Sequence, residues 1–250
     1  HLTAPAGCAC PPEGFRARER APTGAIAHRR RAQETGVDVH NRYSEGMNAA
    51  ELSALLILAT ASSFTPGPNT TLSTALAANR GLRGALHFVL AVPVGWGLLF
   101  TFCAVGLGSL VMALPPLRWA IMLGGVAYLL WLARRLWGNN QLSTADQSRL
   151  DVSFVQGVLL QFLNIKAWML ALSIVAGWVA GHPDATHRYL QTLPLMLFFA
   201  FSSNLTYALI GSMLRHWLAQ GRRLLAFNRL MALLLAATAA WIGWGLTAAS

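Results

Sequence analysis

The sequence predicts an all-α integral membrane protein: six transmembrane helices in two inverted three-helix halves, with spans one and four interrupted. Three observations carry this prediction. Of the 250 residues, 55% are hydrophobic and 11% charged, against about a quarter charged in soluble domains. The apolar residues gather in six runs, each near the roughly 20 residues a helix needs to cross a hydrocarbon core. The first and fourth runs, which open the two halves, both carry polar or helix-breaking residues at similar depth. Interrupted helices at corresponding positions of two halves are a sequence pointer to a transport site, and an odd number of spans per half inverts the second.

Residues 1–46 stand apart. They contain no methionine, yet hold seven of the nineteen Lys and Arg and five of the nine Asp and Glu. Without an apolar core they do not read as a secretory signal, and low hydrophobicity with high charge reads as disorder. Met47 directly precedes the first apolar run. The expectation is a disordered basic leader over 1–46, a product of mis-assigned upstream translation, and a six-helix transporter domain over 47–250. A chain begun at Met47 is then expected to insert and function.

The apolar runs are 50–76, 85–112, 117–137, 153–180, 189–213 and 228–248. In the first, Thr65-Pro66-Gly67-Pro68-Asn69-Thr70-Thr71 cannot continue a regular helix. Both prolines lack an N–H and obstruct the preceding turn. Irregular backbone at membrane depth is tolerated only inside protein or against a wet cavity. Asn69, Thr70 and Thr71 are suited to cap the second half-helix, whose positive end attracts anions. In the second run, Pro93, Gly95 and Gly97 mark close packing. The third is the shortest, flanked by Arg118 and Arg134, which can snorkel to the interfaces. Six tryptophans (Trp119, Trp131, Trp137, Trp178, Trp217 and Trp241) fall near run ends, where aromatic belts form.

The fourth run holds Gln161, Asn164 and Lys166. Lys166 is the only lysine in the chain, and no other Asp, Glu, Lys or Arg lies between Asp151 and Asp184. An ammonium at membrane depth costs at least a few kcal/mol and normally faces a cavity, a partner or a substrate. Gln161 and Asn164 either line a site or bridge helices. In the fifth run Asn204 and Tyr207 are lining candidates, whereas Ser202 and Ser203 suit helix packing.

Basic residues set the orientation. Loops one, three and five carry Arg80 and Arg83; Arg134, Arg135 and Arg149; and Arg215, Arg222, Arg223 and Arg229. Loops two and four carry only Arg118 and Arg188. Positive-inside places the odd loops in the cytoplasm and both ends of the six-span domain outside. The same distribution argues against nucleic acid as the partner of a chain whose pI is near 11, because the arginines sit in short segments between apolar runs.

The elements Ser63-Phe64-Thr65-Pro66-Gly67-Pro68-Asn69, Asn79-Arg80-Gly81-Leu82-Arg83-Gly84-Ala85, Phe154-Val155-Gln156-Gly157 and Asn164-Ile165-Lys166-Ala167 together resemble the LysE/RhtB family of amino-acid exporters. The resemblance covers about residues 47–250. It implies six helices, a bacterial inner-membrane location and efflux of amino acids or close derivatives. Where the family usually has proline between the Asn and the Lys, this chain has Ile165, which predicts a less sharply broken fourth span.

The expected substrate-binding set is Thr65, Pro66, Gly67, Pro68, Asn69, Thr70, Gln161, Asn164, Lys166, Asn204 and Tyr207. Lys166 and the amides around Asn69 to Thr71 suit a substrate carboxylate. The carbonyls freed near Phe64 and Thr65, with Ser62 or Ser63, suit its ammonium. No Asp or Glu lies inside a run, so a zwitterion with a neutral side chain fits better than a cation. Alternating access driven by the proton-motive force is expected, with Lys166 as the candidate coupling group. The partners expected are an amino-acid substrate and the lipid bilayer, with a second copy of the chain left open. No cofactor is expected: Cys8 and Cys10 lie in the leader, Cys103 stands alone in a run, and no metal or disulfide framework follows. A non-coupled channel is the alternative. An intramembrane enzyme is a weaker one, since Gly211-Ser212 with His216 lacks the spacing of a nucleophile and base.

Overall fold

The computed structural model describes residues 46–139, 152–220 and 222–247. The leader expected over 1–46 and Arg149 of loop three therefore lie outside the described residues, Gly46 excepted.

Helix α1 (Ala49–Phe64) starts at a reciprocal cap. The Asn48 side chain accepts from the Glu51 amide, and the Glu51 carboxylate accepts from the Asn48 amide, both at 2.9 Å. It ends where the prolines require. Thr65 turns extended at φ −69°, ψ 127°, the conformation favoured before proline. Helix α2 (Pro68–Ala104) then begins on Pro68 at its first position, where a missing N–H costs nothing.

Within α2, Gly81 is non-helical at φ 76°, ψ 170°, a conformation essentially reserved for glycine. Thr70 and Trp96 line the same cavity. In a straight helix they would stand roughly 39 Å apart at 1.5 Å per residue. The chain therefore folds back at Gly81, so α2 comprises two antiparallel segments. The loop expected at 77–84 reduces to this one residue, because the residues on both sides remain helical. Arg215 occupies the space outside it: a Cβ on Gly81 would stand 2.9 Å from the Arg215 guanidinium.

Gly106, at φ 88°, stops the second segment and starts the short α3 (Leu107–Ala113), which breaks the run expected over 85–112. Helix α4 (Pro115–Trp137) follows. Helix α5 (Phe154–Leu163) opens on a Ser153–Gln156 capping box and is separated by Asn164 from α6 (Ile165–Ile174). A wide π-turn (Val175–Val179) continues α6. Helices α7 (Ala185–Leu218) and α8 (Arg223–Thr247) complete the order. Among the described residues, four helices are long and apolar enough to cross a membrane, and the bent α5–α6 pair makes a fifth candidate. Helix α1, at 16 residues, is shorter.

Two apolar cores flank the helix breaks. One joins Leu76, Phe88, Leu132, Leu136 and Leu235 of α2, α4 and α8. The other joins Leu55, Phe100, Trp168, Ile174 and Met196 of α1, α2, α6 and α7. The outside is apolar too: Ile57, Met213 and Trp244 are 70%, 78% and 77% exposed. So much exposed hydrocarbon suits lipid rather than water. Arg135, Arg223 and Arg229 stack over Trp131, Trp217 and Trp137 at 4.6, 4.7 and 5.4 Å, pairing cation with ring face as interfacial side chains do.

Glycines set the helix separations. A Cβ on Gly95 would lie 2.6 Å from the Val158 carbonyl oxygen, so α2 and α5 touch backbone to backbone. Gly211, half of the weak protease-like pair, instead packs against the backbone of Thr74. A Cβ on Gly125 would overlap the Leu163 carbonyl, immediately before the Asn164 break. Gly125→Ala is therefore expected to destabilise the protein by about 1–3 kcal/mol, as overpacking does. Thermal melting in detergent checks this against Gly243→Ala, whose Cβ would meet nothing within 4 Å.

Candidate functional site

The two helix breaks face each other. The Lys166 ammonium, on the first turn of α6, donates to the Thr65 carbonyl at the end of α1 at 3.0 Å. Tyr207 of α7 donates its hydroxyl to the neighbouring Phe64 carbonyl at 2.8 Å. The last carbonyls of a helix lack intrahelical partners and carry its negative end. Here a cation and a phenol fill two of them. The carbonyls expected to await a substrate ammonium thus already have donors from the protein.

Beyond Pro66 and Pro68, the start of α2 is closed by Thr70. Its hydroxyl accepts from the Gly67 amide at 2.9 Å. The expectation that Asn69 caps this half-helix is corrected: Asn69 and Gln161 exchange side-chain hydrogen bonds at 2.8 and 3.2 Å. Thr71 does not cap either; its amide makes the first helical bond, to the Gly67 carbonyl at 2.9 Å. Asn69 lies on the face turned to α5, where an amide pair across two helices satisfies both side chains.

The fourth apolar run is sharply broken despite Ile165. Helices α5 and α6 meet at 68°, which corrects the expectation of a weaker break. Asn164 does the work of the missing proline. It is extended at φ −94°, ψ 99°, and its side chain accepts from the Lys166 amide at 3.2 Å, capping α6. Trp168 then reaches back to donate to the Phe162 carbonyl at 2.8 Å.

Two spaces share these residues. A cavity of about 70 Å³ lies between the breaks and α7, and a groove of about 590 Å³ opens on the other side toward α8. Thr65, Gly67, Pro68, Asn164 and Lys166 line both. Asn69, Thr70 and Asn204 line the cavity alone, and Pro66 the groove alone. Gln161 and Tyr207 line neither; they hold Asn69 and the Phe64 carbonyl from behind. Asn204 is buried, accepting from Ser73 at 2.9 Å. Sequence reasoning missed Trp96, Met196 and Ser203 on the cavity wall. Ser203 had been assigned to packing, and only its place beside Asn204 signals otherwise. Among the described residues, no Asp or Glu lines the cavity or the groove.

A polar cluster sits at the far end of α1. Arg188, buried at the start of α7, donates to both Asp184 oxygens at 3.0 and 3.1 Å and to Glu51 at 3.1 and 3.3 Å. Trp178 donates to the Glu51 carbonyl at 3.0 Å. Arg188 thus ties α1 to α7. Desolvation pushes the Asp184 carboxyl up, and the hydrogen bonds and charge of Arg188 outweigh it, leaving the pKa below the ordinary value of 3.8. A depressed carboxylate stabilises the fold fully above its unfolded pKa and loses that contribution as pH falls through the folded one. The melting-temperature advantage of the wild type over Asp184→Asn is therefore expected in full at neutral pH. It should begin to shrink only near 3.8, and should vanish only once the pH falls below the lowered pKa of the folded state.

Comparison with known proteins adds to this geometry. The family model described as LysE type translocator matches residues 60–244. A cysteine/O-acetylserine efflux protein of Klebsiella pneumoniae is 29% identical over 181 residues, covering 71% of this chain and 91% of the relative. Proteins of the same name from Escherichia coli strain K12 and Shigella sonnei are 26% identical over 190 residues, 76% of this chain and 95% of each relative. No solved structure matches the chain.

Proposed function

This chain belongs to the LysE type translocator family, and from that premise we propose that it exports small amino acids with uncharged side chains, or their derivatives, across the bacterial inner membrane. The observation that carries the reading is the meeting of two broken helices at Lys166 and Thr65, in walls that hold no carboxylate among the described residues. A cationic side chain would find no counter-charge there. A zwitterion can take the Thr65 carbonyl from Lys166 with its ammonium and offer its carboxylate to the Lys166 so released. The compounds for which the relatives are named, cysteine and O-acetylserine, are small and uncharged in the side chain.

The proposed membrane arrangement has six spans. Helix α1 with the first segment of α2 forms span one, and the second segment forms span two. Helix α4 is span three, α5 with α6 span four, α7 span five and α8 span six. Spans one and four then open two inverted halves, and their breaks meet at the midplane. Transport is alternating exposure of that point by movement of one half against the other, driven by the proton-motive force with Lys166 as the coupling group.

Counterflow in proteoliposomes holding the full chain tests the function. Labelled serine and cysteine should exchange, whereas lysine and glutamate should not. No exchange with any of the four would overturn the reading, and leak without counterflow would replace the carrier with a channel. Orientation is tested by single cysteines replacing Gly138 and Thr186, both exposed, in a background lacking Cys8, Cys10 and Cys103. An impermeant thiol reagent outside the cell should label position 186 and spare 138, and the opposite pattern would invert the topology.

A further inference from the structure

We propose that Lys166 is a tethered stand-in for the substrate's ammonium: it holds the carbonyl receptor at the end of α1 and yields it only to a ligand that brings its own carboxylate. This rests on the exporter reading and deepens it.

Lys166 belongs to the first turn of α6, the positive end of that helix and an unfavourable place for a cation. Its flexible stem crosses to the negative end of α1, where the ammonium meets the Thr65 carbonyl at 3.0 Å. The adjoining Phe64 carbonyl is held by Tyr207. Gly67 lies along the crossing: a Cβ there would stand 3.5 Å from the Lys166 nitrogen and 3.6 Å from its Cδ.

The same carbonyl edge suits any primary ammonium, so Lys166 and a ligand compete for it. Displacement by a simple amine would leave Lys166 at membrane depth with no carboxylate among the described residues of the walls, and an ammonium without a partner at that depth is costly. A zwitterion avoids the penalty. Its ammonium takes the Thr65 carbonyl while its carboxylate receives Lys166, and no charge is left alone at any stage. Recognition of both backbone groups of an amino acid thus follows from one exchange, without an acidic residue in the protein.

The test uses [14C]ethylammonium and the full chain purified in detergent. Equilibrium dialysis compares the wild type with Lys166→Met and Lys166→Gln. With the stand-in removed, both variants should bind ethylammonium at least about tenfold more tightly than the wild type, a difference near 1.4 kcal/mol. Equal affinities, or no measurable binding to any of the three, would overturn the proposal. Should neither variant fold, the wild type decides: a chain grown on ε-15N-lysine has one lysine side-chain signal. Its protons should exchange with water more slowly than those of free lysine, and exchange at the free rate would overturn the proposal. Serine counterflow by the wild type reports on the exporter reading alone, so the two can fail separately.

Discussion

Replacing Lys166 with methionine is expected to leave the protein in the membrane at wild-type or higher amount while export falls to background. Methionine keeps much of the stem and removes a charge that is costly at membrane depth, so insertion has no reason to suffer. Export loses the group that receives the substrate carboxylate. A hydrogen bond to a charged group contributes about 1.5–3 kcal/mol, roughly ten- to a hundredfold in rate, before any loss of coupling is counted. Lys166→Arg separates charge from proton release. Guanidinium stays protonated throughout, so arginine should rescue poorly if Lys166 gives up its proton in the cycle and well if it serves only as a fixed cation. Efflux of labelled serine from cells, normalised to protein in the membrane, decides. A methionine variant exporting at the wild-type rate would remove Lys166 from the mechanism.

The parts of the site visible in the sequence are those where one residue type admits few physical outcomes. A lone lysine in an apolar run must find a partner, and two prolines around Gly67 must open a helix. Both statements hold without knowing what packs nearby. The reversal at Gly81 was visible as a glycine between arginines, but not that a single residue would suffice. That depends on a positive φ which only the fold can impose. The sharp break at Asn164 was misjudged because proline was weighed as its cause, when a short side chain capping α6 achieves the same opening. The cap expected of Asn69 fails because a cap is a local solution, whereas its partner Gln161 lies 92 residues away. Arg188 was counted for topology alone. The signal for its second role was present in Asp184, four residues earlier and hence on the same helical face.

The largest polar feature that sequence reasoning missed carries the second prediction. Asn79 of α2, Asn139 after α4 and Asn228 of α8 form a buried network, with Asn79 and Asn228 both 0% exposed. The Asn79 oxygen accepts from Asn139 at 2.9 Å and from Asn228 at 3.0 Å. The Asn79 nitrogen donates to Asn228 at 2.7 Å and to the Ala75 carbonyl at 2.8 Å. Asn228 also donates to the Asn139 backbone at 2.9 Å. Partners 60 and 149 residues apart cannot be paired by eye in a single sequence. Asn79→Ala would strip Asn139 and Asn228 of a shared acceptor where water does not reach. Each unsatisfied buried group costs about 1–3 kcal/mol, so a loss of roughly 2–5 kcal/mol is expected. Asn228→Ala should cost a similar amount, because it unpairs Asn79 in turn. The double variant should cost much less than the two single losses added, since groups that satisfy one another are strongly coupled in a double-mutant cycle. Reversible unfolding in detergent, or melting temperatures as its proxy, measures this directly. Additive losses would mean that the three asparagines act separately. Coupled losses would show that α2, α4 and α8 are held at the Gly81 end by one shared set of hydrogen bonds, which must break or move together if these helices part during transport.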